Sequence, residues 1–120
     1  MGMTFAQKAL ARAAGKDYVD IGEIVMANVD VAMMDDILGP RIEIAAGLKE
    51  LGVDVWDKSK VVVISDHYTP PCEIKQAEAV RFTRDWSEEH EVSYYEYAGP
   101  CHQVLAERCY DQPGTLVVGT

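Results

Sequence analysis

Two histidines follow apolar runs in this sequence. His67 comes after Asp66, at the end of Lys60-Val61-Val62-Val63-Ile64-Ser65, and His102 comes after Cys101, beyond a second run at 92–97 and the break Gly99-Pro100. An imidazole titrates near neutral pH and so suits proton transfer. A carboxylate within reach fixes its tautomer and favours its charged form. Asp66 is adjacent to His67 in sequence, which orients the turn but does not guarantee contact with the ring. Plainer readings stay open: a capping Asp with a solvated His at 66–67, and for His102 a helix N-terminal His bonded to a loop carbonyl. Asp35 and Asp36 form a carboxylate pair of the kind used for acid–base work or for metal, but two N-cap side chains alone would explain them, and that is the larger share of the reading. His90, after Glu88 and Glu89, fits a helix C-terminus and is assigned no function.

The three cysteines, Cys72, Cys101 and Cys109, are odd in number and widely spaced, with no CxxC pair. They read as reduced cytosolic thiols rather than a zinc or cluster framework. Cys101 beside His102 has the residue types of a thiol nucleophile. Tyr94, Tyr95 and Tyr97 lack the interleaved basic residues of a base-stacking platform and read as strand packing. Neither GxGxxG nor GxxxxGK[ST] occurs, so no phosphate loop is expected.

The elements that must position these residues alternate. Thr4 and Gln7 form a capping box for a helix at about 4–14, closed by Gly15. Residues 24–34 read as a buried extended segment, interrupted by Asn28 and Asp30. Ile37, Ile44, Ala45, Leu48 and Leu51 follow at helical spacing up to Gly52, with Gly39-Pro40 disturbing the first turns. The β-branched run at 60–65 is the pattern of a strand buried on both faces. Pro70 and Pro71 open a long helix to about His90. A strand at 92–97, a short helix through Val104 and Leu105 to about Arg108, and a strand at 116–118 complete the order. Such alternation predicts an α/β layered fold, a three-layer sandwich with a mostly parallel sheet. In open parallel sheets ligands bind outside the carboxyl ends of the strands. There Asp66-His67, Cys101-His102 and Gly119-Thr120 would share one edge.

With 120 residues, 48% of them hydrophobic, the chain is long enough for one domain with a core. Twenty acidic against eleven basic residues leave a net charge of −9, which disfavours a nucleic-acid partner, since that needs a basic face. No apolar run approaches the ~20 residues of a membrane span. The N-terminus has neither the basic nor the apolar region of a signal peptide, and the expected location is cytoplasmic.

Six segments occur in order: Met1-Gly2-Met3-Thr4, Ala13-Ala14-Gly15-Lys16, Val25-Met26-Ala27-Asn28-Val29-Asp30, Ser65-Asp66-His67-Tyr68, Cys101-His102-Gln103-Val104-Leu105 and Pro113-Gly114-Thr115-Leu116-Val117-Val118-Gly119-Thr120. Together they resemble the start of the large subunits of 3-isopropylmalate dehydratase and homoaconitase, in the aconitase superfamily. The resemblance covers essentially the whole chain and implies an aconitase-like N-terminal α/β domain, in part, over residues 1–120. It implies a hydro-lyase acting on a small anionic hydroxy-acid substrate, with a [4Fe–4S] cluster. Catalytic roles carry over to Asp66 and His67, the His protonating the departing hydroxyl and the Asp supporting it, and to His102 as a further active-site histidine. It gives no use to Cys101 as a nucleophile. Asp35 falls at a substrate-side position where relatives commonly have His before Asp or Glu, and Thr two residues later; both are absent here. A 2,3-dimethylmalate-type diacid is therefore as admissible as isopropylmalate, and a non-catalytic α/β binding module is the remaining alternative. The cysteines match neither the motif nor the spacing of the family's cluster ligands, so no cofactor or metal ligand is expected within residues 1–120. The expected partners are the remaining large-subunit domains and a separate small subunit, and the chain reads as an N-terminal piece of a longer subunit that is inactive alone.

Overall fold

The computed structural model describes residues 2–119. Its elements are α1 (Phe5–Ala13), β1 (Val31–Met34), α2 (Ala45–Leu51), β2 (Val61–Ser65), α3 (Ile74–Glu89), β3 (Ser93–Glu96), α4 (Cys101–Glu107) and β4 (Val117–Gly119). The expected order of helices and strands is found. All three strand pairings are parallel, in the order β3-β2-β1-β4.

β2 organises the sheet because it is central and apolar on both faces. Val62, Val63 and Ile64 have no exposed surface. Side chains alternate across a strand, and so Val62 and Ile64 join Val31, Met33, Cys101, Val104 and Leu105 on one face, beneath α4. Val63 joins Met34, Trp86 and Val92 on the other, with Ala45 and Leu48 of α2 packed against them. Helices therefore cover both faces, giving the three-layer α/β arrangement expected from the alternation.

Local signals account for the helix ends. Thr4 Oγ1 accepts the Gln7 N–H, and Gln7 Oε1 accepts the Thr4 N–H at 3.0 Å, closing the capping box. α2 is preceded by a π-helical stretch at Gly39–Ile44, the irregular start that Gly39-Pro40 signals. Gly52, at φ +66°, ends α2 in the left-handed conformation that glycine adopts most cheaply.

Two boundaries differ from expectation. The strand expected within 24–34 is confined to Val31–Met34, and Ile24 and Met26 are almost fully exposed. Hydrogen bonds made before the strand mark this boundary. Asn28 donates its N–H to Ala13 O, and Asp30 Oδ2 accepts the Leu116 N–H at 2.8 Å, so the chain joins the sheet only beyond Asp30. Pro70 and Pro71 precede α3, which starts at Ile74, instead of forming its first turn. A residue before proline is pushed away from the helical region, so tandem prolines keep 69–70 out of the helix. Lys60 likewise lies in a 3₁₀ turn at the foot of β2.

Ile64→Ala removes a fully buried branch from the centre of the sheet. It is expected to lower stability by about 2–5 kcal/mol, read as a reduced denaturation midpoint. A change below about 0.5 kcal/mol would contradict the placement of β2 as the core strand.

Candidate functional site

Because β3, β2 and β1 are parallel neighbours, their carboxyl ends open on one edge. β1 runs into Asp35-Asp36, β2 into Asp66-His67, and β3 into the loop that reaches α4 at Cys101-His102. Backbone hydrogen bonds to carboxylates join these exits. Asp36 Oδ1 accepts the His67 N–H at 3.1 Å, and its Oδ2 accepts the Tyr68 N–H at 2.8 Å. Asp66 Oδ2 accepts the Cys101 N–H at 2.6 Å, at the start of α4. Each carboxylate thus holds the backbone of the next exit along the sheet.

Asp36, expected as an N-cap, instead reaches across 31 and 32 residues and is 1% exposed. Asp35, expected as an N-cap as well, closes a local turn instead: its Oδ1 accepts the N–H groups of Ile37 and Leu38 at 2.9 and 2.8 Å, and neither the stretch at Gly39–Ile44 nor α2 has a side-chain cap. Asp35 is 4% exposed.

The His67 side chain is 42% exposed at this edge. Its Nδ1 lies 2.8 Å from Asp66 Oδ1, 3.5 Å from Asp36 Oδ1 and 3.9 Å from Asp35 Oδ2. Asp66 Oδ1 is buried without an aligned hydrogen bond, so the 2.8 Å approach lies off the N–H direction. Only carboxylate oxygens face Nδ1 in these three contacts. That setting favours a hydrogen on Nδ1 and leaves Nε2 as the nitrogen for chemistry. Asp66 also lines a cavity of about 390 Å³ with Thr69, Tyr97, Gly99 and Pro100.

His102 is exposed and lines a different cavity, of about 340 Å³, with Met33, Leu105, Asp111, Val117 and Gly119. It is tied to the His67 cluster through its neighbour Cys101, whose N–H is held by Asp66. Of the expected Gly119-Thr120 exit, Gly119 lines this second cavity, and Thr120 lies outside the described residues. His90 pairs with Asp54 at 2.5 Å and packs on Trp86, well inside a structural role.

Cys101 is buried, and burial together with the Asp66 carboxylate pushes its thiol up to about 11. A thiol so shifted is almost wholly protonated at neutral pH, the opposite of an activated nucleophile. Tyr94 packs as expected and also bonds to Ser65 Oγ at 3.0 Å and to Glu96, which Arg84 holds in a two-pronged ion pair. Desolvation first raises the Tyr94 phenol to about 12, which keeps it neutral.

Asp36, Asp66 and His67 each offer one ligand atom within 4.8 Å of the others, the one such group among the described residues. Three of the four carboxylate oxygens already accept backbone N–H groups, so the trio is first of all a clamp. No set of cysteines forms a comparable group among the described residues: Cys72 and Cys109 are exposed and Cys101 is buried in the sheet layer. These residues do not fit an iron–sulfur cluster, which takes three or four thiolates. No helix among the described residues is long and apolar enough to cross a membrane.

No protein-family model matches the chain. Among curated proteins, it is 46% identical over 123 residues to the probable 3-isopropylmalate dehydratase large subunit of Methanothermobacter thermautotrophicus, spanning 100% of this chain and 29% of that protein. It is 44% identical to 3-isopropylmalate dehydratase large subunit 1 of Methanopyrus kandleri, over 99% of this chain and 28% of that protein. The large subunit of Herpetosiphon aurantiacus is 42% identical, again over 100% of this chain and 29% of its own length. The chain therefore spans under a third of the length of these relatives.

A buried, protonated Cys101 is expected to resist iodoacetamide at pH 7.5 under native conditions, while the exposed Cys72 and Cys109 are alkylated. Peptide mass spectrometry reads the difference, and Cys101 labelling as fast as Cys72 would overturn the burial and charge argument.

Proposed function

The chain is an N-terminal part of the 3-isopropylmalate dehydratase large-subunit family, and from that premise we propose that it supplies the proton-donating edge of a hydro-lyase acting on a 2-hydroxy di- or tricarboxylate of the 3-isopropylmalate or homoaconitate type. The observation that carries the reading is the His67 ring. It stands exposed at the carboxyl edge of a parallel sheet, with Nδ1 turned to three carboxylates.

In the dehydration direction, the carbon–oxygen bond of the substrate hydroxyl breaks and its electron pair leaves with oxygen. The imidazolium gives its Nε2 proton to that oxygen, which departs as water, and neutral imidazole remains. The proton lost from the neighbouring carbon goes to a base outside this chain. Asp66 holds the Nδ1 side of the ring and, by its Oδ2, the start of α4. Through that second contact Asp66 also sets the position of His102, the further histidine of the site. Asp35 shapes the turn with one oxygen and faces the ring with the other, so it acts on substrate through the field at His67.

The clustered carboxylates repel an anionic substrate, and the chain as a whole is acidic, at −9. Cationic groups to bind the substrate carboxylates must come from elsewhere. This supports a complete enzyme in which further large-subunit domains and a separate small subunit close over this edge. The [4Fe–4S] cluster that the family resemblance implies is assigned to cysteines outside residues 1–120, consistent with the poor fit of Cys72, Cys101 and Cys109.

In the complete enzyme, His67→Ala or His102→Ala is expected to lower kcat for 3-isopropylmalate by about 10²-fold or more. A rate near wild type for either variant removes that residue from the reaction. Assaying a panel of 2-hydroxy diacids with the same enzyme distinguishes an isopropylmalate-type from a dimethylmalate-type substrate.

A further inference from the structure

We infer that Asp36 is a positioning residue for His67, acting through the backbone of the turn that presents the imidazole. The inference rests on the reading of His67 as proton donor and adds to it a residue that touches no reacting atom.

Asp36 is one of the least exposed ionisable side chains in the molecule, with a side chain at 0% exposure, and it carries a carboxylate rather than an apolar group. A buried carboxylate is retained only where donors surround it. Its donors are two consecutive N–H groups, those of His67 and Tyr68, and both of its oxygens are engaged. Gripping two successive N–H groups fixes the orientation of the peptide plane between them. That peptide sets the direction in which the His67 Cα–Cβ bond leaves the sheet edge. After Ser65 the chain leaves the sheet; besides Asp36, the loop is held by Asp66 Oδ2, which accepts the Cys101 N–H, and by Thr69 Oγ1, which donates to Ser65 O at 3.0 Å. Asp36 Oδ1 also lies 3.5 Å from Nδ1, close enough to favour the same ring orientation as Asp66 does.

Asp36→Asn keeps the volume but not the acceptors. An amide has one oxygen for two converging N–H groups, and its NH₂ would face the other donor. A small displacement of a catalytic group is enough to cost about 10²-fold in rate. The expected result in the complete enzyme is a 10- to 100-fold fall in kcat for 3-isopropylmalate, with KM within about threefold of wild type, as for an interaction that acts on the chemical step.

A double-variant cycle separates positioning from general weakening. If Asp36 acts through His67, Asp36→Asn has no further effect once the imidazole is gone, and the Asp36→Asn/His67→Ala double variant matches His67→Ala within about twofold. Losses that multiply in the double variant, or a kcat for Asp36→Asn within about twofold of wild type, overturn the inference. Activity retained by His67→Ala alone instead removes the reading on which it rests, so the two failures are distinguishable. Should Asp36→Asn fail to assemble, the same cycle with Asp36→Glu, which keeps charge and acceptors but shifts them by one methylene, decides between the same two outcomes. In the unmutated enzyme the His67 and Tyr68 amides are expected to exchange with solvent deuterium at least about tenfold slower than freely exposed loop amides; unprotected amides there also overturn it.

Discussion

A carboxylate taken out of water must find donors, and the donors available to Asp36 are main-chain N–H groups of a neighbouring strand's exit. That requirement ties β1 to the loop after β2. The same requirement at Asp66 ties the loop after β2 to the start of α4. Each hydrogen bond to a charged group contributes about 1.5–3 kcal/mol, and a buried charge left without one costs more. The exits are therefore locked in relative position by carboxylate–amide bonds. Remove the carboxylates and the sheet would remain, but the three loops would lose their common frame.

Parallel pairing makes this possible. Only when neighbouring strands run the same way do their carboxyl ends fall on one edge, so that an Asp following β1 can meet amides following β2. The strand order β3-β2-β1-β4 also divides the edge. The β2 and β3 exits hold the cavity beside Asp66, whereas the β1–β4 side holds the cavity beside His102. The two histidines thus lie on adjoining sides of one edge, linked through the Asp66–Cys101 bond.

The electrostatics of this edge are one-sided. Asp35, Asp36 and Asp66 surround a single imidazole nitrogen, and the acidic chain adds no compensating field. Such a cluster favours a cation and repels an anion. The relatives that this chain matches continue well beyond it, the chain spanning about 29% of their length. The buried Cys101 joins this edge by its backbone N–H, held by Asp66, while its thiol stays protonated.

Local pattern alone determined the layered α/β architecture, the capping box at Thr4 and Gln7, the glycine end of α2 and the burial of Val62–Ile64, because propensity, capping and apolar periodicity act between residues close in the chain. It also placed Asp66, His67 and His102 at strand exits. Where Asn28 and Asp30 would draw the chain off the sheet, and how far Pro70-Pro71 would delay α3, depended on partners at Ala13 and Leu116 and on the loop packing, which no local window contains. The role of Asp36 lay further still from the pattern. An acid after a strand and before a helix reads as a cap, and its neighbour Asp35 stays local, closing the turn at Ile37 and Leu38. Asp36 bonds instead to amides 31 and 32 residues away, a meeting decided only when β1 and β2 align side by side, since hydrogen bonds to backbone amides carry no residue signature at the partner position.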